Sequence, residues 1–237
     1  MLVSCAICEL RKEKRFCPAL HGRICAQCCG EQREVTIDCP SDCPYLRQAR
    51  EHEKMRTVAD VDQAAMFPEI EIPEHFLYEH KELIMGLSFA LANCARAGGS
   101  LGGSLGNSLD GSVGNRSLTD RDLIAALSSL VQSYRTLVES SLIYEQVTAN
   151  LVQQNIAREV GAMVNEFREE EVKHLGYSRL RDSDVLKALV FWVRMGMTRT
   201  SGRPKSRAFV DFLLSQFPEK ASGIAAPEDA GSRIIVP

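Results

Sequence analysis

From Glu74 onward apolar and polar residues alternate with a helical period. Phe76, His80, Leu83, Leu87, Ala90 and Cys94 recur three or four positions apart, which puts them on one face of a helix from Glu74 to about Arg96. A second stripe, Leu123, Leu127, Leu130, Tyr134, Leu137 and Val138, follows Thr119 and Asp122, a capping-box-like pair that marks a helix start. A third, Val147, Leu151, Ile156, Val160, Met163, Val164 and Phe167, continues to about His174. No proline separates Thr119 from His174, so one long helix or two helices broken near Tyr144 both satisfy the pattern. A single helix would exceed about 80 Å at 1.5 Å per residue, and the break is expected. Asp182 or Ser183 can cap a further helix through Leu186, Leu189, Val190, Val193 and Met197. A turn at Ser201 to Pro204 then leads into a last helix carrying Phe209, Phe212, Leu213 and Phe217.

The first fifty residues lack such a stripe until Tyr45 to Lys54, which has helical character. Val35, Thr36 and Ile37 have strand propensity and are expected to pair with the residues around Arg15 and Phe16. Pro68 and Pro73 flank an extended stretch, Phe67 to Ile72, so residues 51–72 form a linker. Residues 97–118 are a near-tandem Gly-Ser-Leu repeat holding seven of the 16 glycines, the composition of a flexible loop. Residues 218–237 form a tail. The expected fold is mainly α: a small irregular module over residues 1–50, followed by a helical bundle over residues 73–217.

Hydrophobic content of 45% and charged content of 25% are those of an ordinary globular chain. A formal net charge of -3 gives no general attraction to nucleic acid or anionic lipid, so either would need a local patch. The N-terminus shows no basic start followed by an apolar run. The longest apolar stretch, Leu83 to Ala95, contains Asn93 and is too short to span a bilayer. A cytoplasmic protein without membrane contact is therefore expected.

Cysteine usage changes this picture most. Eight of the nine cysteines lie between Cys5 and Cys43, and only Cys94 stands apart, on the apolar face of a helix as a small hydrophobe. Clustered thiols in a reducing compartment are metal ligands before they are disulfides. Cys5-x2-Cys8 and Cys25-x2-Cys28 each let one tight turn aim two sulfurs at a common point, which suits tetrahedral zinc. Interleaving the pairs gives a first site of Cys5, Cys8, Cys25 and Cys28. A second takes Cys17, Cys39 and Cys43 with Cys29 or His21 as the fourth ligand. Cys29 is preferred because it leaves no stray thiol beside a metal. So short a unit has few apolar side chains to offset chain entropy. Structural zinc contributes about 10–16 kcal/mol per site and would take the place of a core.

The order Cys5, Cys8, Cys17, His21, Cys25, Cys28, Cys39, Cys43 resembles the cross-brace and treble-clef zinc fingers, the RING, MYND and B-box group. The RING likeness implies His21 as a ligand. The MYND likeness, carried by Cys39 and Cys43 running into the helix at Tyr45, implies that the last ligand sits at that helix's first turn. The whole chain is similar to bacterial proteins that open on a cysteine-rich segment of this kind, a likeness that implies no activity.

Other chemistries find less support. A catalytic zinc keeps a position open for water beside a carboxylate, whereas eight cysteines close both sites and no H-E-x-x-H motif is present. Glu171-x-x-His174 matches one element of a di-iron bundle, which requires two together with further carboxylates. Residues 1–50 hold eight basic and six acidic side chains, and two tetrathiolate zinc sites would turn that balance negative. Arg194, Arg199, Arg203, Lys205 and Arg207 are the best polyanion candidates, with no acid between Asp184 and Asp211. Gly202, Arg203, Pro204 and Lys205 resemble the core of an AT-hook, which implies minor-groove binding. The reading that emerges is a non-enzymatic protein with two structural zinc ions that binds another protein. Nucleic-acid binding through the Arg194 to Arg207 patch is the alternative.

Overall fold

The computed structural model describes residues 4–54, 56–98, 118–140 and 150–218. The expected loop at 97–118, the tail and the residues around Tyr144 fall largely or wholly outside these. The architecture is mainly α, with one small β-hairpin at the N-terminal end.

The hairpin pairs β1 (Arg15–Cys17) with β2 (Gly22–Ile24), antiparallel, with Phe16 opposite Arg23. His21 closes its turn in the left-handed region, at φ 49°. Val35 to Ile37 is therefore not the partner of β1, which corrects the expectation. The amides of Val35, Thr36 and Ile37 all turn back onto the Gln32 carbonyl, at the end of α1 (Ala26–Gln32). The last carbonyls of a helix lack intrahelical donors, and that demand outweighs the β-propensity of Val35 and Ile37. α2 (Pro44–His52) starts with a proline at its first position, where the missing N–H costs nothing.

The apolar stripe from Glu74 forms two helices rather than one, α3 (Glu74–Glu79) and α4 (Lys81–Gly98). His80 between them leaves helical geometry at ψ 27°. Leu83, Leu87 and Leu91 line the buried face of α4 with no exposed surface, each contributing about 1.5–3 kcal/mol. α5 (Asp120–Ser140) begins at the expected box: the Asp122 carboxylate accepts from the Thr119 N–H at 3.2 Å, and Thr119 Oγ1 accepts from the Asp122 N–H at 3.4 Å. α6 (Leu151–Leu175) is a separate helix that packs on both α4 and α5.

α7 (Asp182–Arg199) is apolar on nearly every side, with Val185, Ala188, Leu189, Val190 and Val193 all inaccessible. A helix of that kind belongs at the centre, and α5 and α8 (Ala208–Gln216) pack against it. The closest approach falls at Gly196, where a Cβ would lie 2.9 Å from Ile124 Cγ1 and 3.0 Å from Phe209 Cε1. The segment before α3 contains two 3-10 turns, Val58–Asp60 and Ala64–Met66, and buries Met66 and Phe67. No helix among the described residues is long and apolar enough to cross a membrane.

Candidate metal centre

Cys5, Cys8, Cys25 and Cys28 converge: one sulfur from each lies within 4.8 Å of all the others. Local backbone explains why. Cys5 and Cys8 flank a tight turn in which the Ile7 N–H donates to Cys5 Sγ at 3.5 Å. The hairpin returns the chain so that the Cys25 N–H reaches the same sulfur at 3.1 Å. Cys25 then caps α1, its sulfur accepting from the Cys28 N–H at 3.4 Å. Three backbone donors thus point at two sulfurs, the arrangement that stabilises thiolate.

The acidities follow. Burial opposes ionisation of Cys5, but the N–H groups of Cys8, Cys25 and Ile7 outweigh it and hold the thiol down at about 6. The Cys28 N–H likewise lowers Cys25. Burial, then the neighbouring Cys25, Cys8 and Cys5, pushes Cys28 up to about 12. Ionised sulfurs this close repel one another, and a divalent cation at their centre removes that conflict. Arg11 stands alongside, with Nη1 4.0 Å from Cys8 Sγ. Four thiols are the number that a tetrahedral structural zinc site uses.

The remaining four module cysteines border one common space. Cys17, Cys29, Cys39 and Cys43 line one cavity of about 10 Å³, walled by Ile24, Ile37 and Leu46. That is room for about one water-sized sphere. Their sulfurs are less tightly gathered than the first four, which form the one such cluster among the described residues. Burial raises the Cys39 thiol, with Cys43 and Cys17 adding to the effect. Arg33 lines the same cavity, and its buried Nε has no hydrogen-bond partner. His21 is exposed on the hairpin turn and is not part of this lining. Cys43 directly precedes α2, at the helix start that the MYND likeness implies.

The basic residues of the C-terminal patch are dispersed. Arg194 donates to the carbonyls of Met66, Phe67 and Ile70 at 2.7–2.9 Å, holding the connecting segment onto α7. Arg203 donates to the carbonyls of Gly30 and Arg33, and the Lys205 Nζ to that of Thr36 at 2.6 Å. Arg207 precedes α8 with its Nε buried. Arg199 lies over the Phe212 ring, 4.3 Å from its centroid. Glu171 accepts from the Ser178 hydroxyl and from the N–H groups of Arg179 and Leu180, so it orders the turn after α6.

Sequence reasoning did not foresee the ion-pair network that joins the module to the bundle. Glu34, only 2% exposed, pairs with Arg50 at 2.8 Å, and Arg50 pairs with Asp211 at 2.6 Å. The Ser201 hydroxyl donates to Glu34, the Ser41 hydroxyl to Asp211, and the Lys205 N–H to the Glu34 carbonyl. No local signal marks these partners: Ser41 and Asp211, for one, stand 170 residues apart. No family model matches the sequence, nor does any curated protein or solved structure.

Proposed function

We propose that the chain is a non-catalytic scaffold whose N-terminal module holds two structural zinc ions and presents a fixed surface to another protein. The observation that carries this reading is the closed four-cysteine cluster of Cys5, Cys8, Cys25 and Cys28. A site whose four positions are all protein thiols has none left for substrate or water.

The second ion would be held by Cys17, Cys29, Cys39 and Cys43. Two features support it: the four cysteines share one ion-sized cavity, and Arg33 brings an unpaired buried N–H to its wall. A thiolate there would give that donor an acceptor, and its charge would offset part of the negative site. Bound zinc would cross-link the hairpin to the chain on either side of it, contributing about 10–16 kcal/mol of apparent folding free energy per site. The module's interior is otherwise small: Ile24, Ile37, Leu46 and the thiols, with Ile7, Ala19 and Tyr45 partly buried beside them.

The partner is taken to be a protein because the module keeps large apolar side chains in water: Leu10 is 88% exposed, and Phe16 and Leu20 about half. Apolar groups on a metal-fixed loop dock at little entropic cost. Nucleic acid is less favoured, since Arg194, Arg203 and Lys205 already serve backbone carbonyls.

Native mass spectrometry of chain purified without chelator, followed by thiol alkylation, tests the reading. Two zinc ions protecting eight cysteines are expected. One ion protecting four would remove the second site, and protection of seven would bring His21 back as a ligand. A metal-free chain with disulfides would overturn the module altogether.

A further inference from the structure

A second cavity, of about 230 Å³, opens where the end of α2 and the residues after it meet the end of α7 and the start of α8. We infer that it is a binding site for a small phosphate-class anion, filled by Lys54, Arg56 and Arg199.

Four cations face this cavity, Arg50, Lys54, Arg56 and Arg199, against Glu53 alone. Arg50 is already shared between Glu34 and Asp211, and the Asp60 carboxylate, held low by the Thr57 hydroxyl and N–H, also feels the charge of Arg56. The charge left without a carboxylate partner among the described residues is that of Lys54 and Arg199. Arg56 is fixed by donating to the Asp60 carbonyl at 2.8 Å and by lying against Gly202, where a Cβ would come 3.2 Å from Nη1. Arg199 lies over the Phe212 ring, 4.3 Å from its centroid, a contact with the ring face that uses up none of its N–H groups. Lys54 has no ion-pair partner among the described residues. Thr200 adds a hydroxyl that accepts from the Gly202 N–H and retains its own proton for donation.

Two guanidinium groups held in place, an ammonium and a hydroxyl donate from several directions. That matches a tetrahedral oxyanion with many acceptors better than a planar carboxylate. The cavity is smaller than the roughly 300–1,000 Å³ of typical ligand pockets, so it takes a phosphate ester or pyrophosphate. A nucleic-acid strand would need the positive track to continue, but Arg203 and Lys205 turn inward toward the carbonyls of the module. Because Lys54 and Arg56 follow α2 and Arg199 ends α7, an occupying anion bridges the chain after the module to the bundle. The inference does not depend on how many zinc ions the module holds.

Calorimetric titration of the full zinc-loaded chain with pyrophosphate, at constant ionic strength, tests it. Saturable binding of one pyrophosphate per chain is expected, weakened at least tenfold in Lys54→Ala/Arg199→Ala. Arg121→Ala, which removes one charge from the exposed face of α5, should change the affinity less than twofold. Heat that does not saturate, equal weakening by Arg121→Ala, or an unaffected double variant overturns the site. Tighter binding of a short oligonucleotide, lost in the same double variant, would overturn the assignment to a small anion.

Discussion

Arg50→Met isolates the contact that ties the cysteine-rich module to the helical bundle, because methionine keeps most of the packing stem and removes only the guanidinium. In the structure that group holds two carboxylates, Glu34 at 2.8 Å and Asp211 at 2.6 Å. They differ in setting: the Glu34 side chain is 2% exposed and that of Asp211 is 21%. Stripped of Arg50, Glu34 would keep a neutral hydroxyl, that of Ser201 at 3.1 Å, as its side chain's partner among the described residues. Orphaning a buried charge costs about 3–5 kcal/mol, and the more exposed Asp211 pair adds about 1 kcal/mol or less. Some relaxation of Glu34 toward the nearby surface brings the expected loss to about 3 kcal/mol, or roughly a hundredfold in the opening equilibrium. The loss should appear where the two units touch. The Lys205 amide, which donates to the Glu34 carbonyl at 2.8 Å, should exchange its hydrogen about a hundredfold faster. Amides at the centre of α7, such as Val190, should change little. Adding Glu34→Gln removes the stranded charge and should recover about half of the loss, a non-additivity that a double-mutant cycle reads directly. The reasoning is refuted if Lys205 exchange changes less than threefold in Arg50→Met, or if the double variant is no better protected than the single one.

Four further outcomes are expected. Cys8→Ser and Cys39→Ser should each lower zinc to one ion per chain by native mass spectrometry. Only Cys39→Ser should speed exchange at Lys205, since the module's docking groups all lie between Gly30 and Arg50; equal effects would refute the division into two sites. Gly196→Ala forces a Cβ to within 2.9 Å of Ile124 and should cost about 1–3 kcal/mol, seen as a Tm several degrees lower; an unchanged Tm would mean that the helices cross farther apart. Asp120→Ala removes a 1% exposed carboxylate that accepts from the Ser206 hydroxyl and from the N–H groups of Phe209 and Val210. A loss of about 3 kcal/mol in urea unfolding is expected, and a loss below 1 kcal/mol would show that water replaces the carboxylate. Glu171 has burial against it, yet the donors Ser178, Leu180 and Arg179 hold its carboxyl below the ordinary 4.5. A depressed folded pKa stabilises above 4.5 and stops doing so as pH falls through the folded value. Glu171→Gln should therefore cost under about 1 kcal/mol at neutral pH, because the side chain is only partly buried and glutamine can still accept from the same donors, and nothing in strong acid; a difference that persists there would contradict the assignment.

Features set by neighbours in the chain were legible in the sequence. Cys5-x2-Cys8 and Cys25-x2-Cys28 announced their convergence because a two-residue spacing nearly dictates where both sulfurs point. The stripe of α4 and the Thr119 and Asp122 box were equally plain, since period and capping are local matters. The break at His80 left no mark, because Phe76, His80 and Leu83 stay in phase across one non-helical residue. Nor did the partner of β1, whose hairpin depends on His21 taking a positive φ that a non-glycine residue rarely adopts.

The basic stretch from Arg194 to Arg207 shows why charge was harder to interpret than periodicity. Its positive charge is visible in the sequence, but the direction of each side chain is settled by whatever unpaired acceptor lies nearest in three dimensions. In a mainly helical protein those acceptors are predictable in kind: carbonyls at helix ends and in irregular segments, which must find donors once they leave water. The end of α1 and the turns at 64–70 are such places, and they draw in Arg203 and Arg194 respectively. Arg199, at the last turn of α7, instead lies over the Phe212 ring and borders a cavity. A run of cations next to irregular backbone is therefore first a supply of donors for that backbone. What remains for ligands is the subset whose N–H groups still face open space, here Arg199 joined by Lys54 and Arg56 from a distant part of the chain.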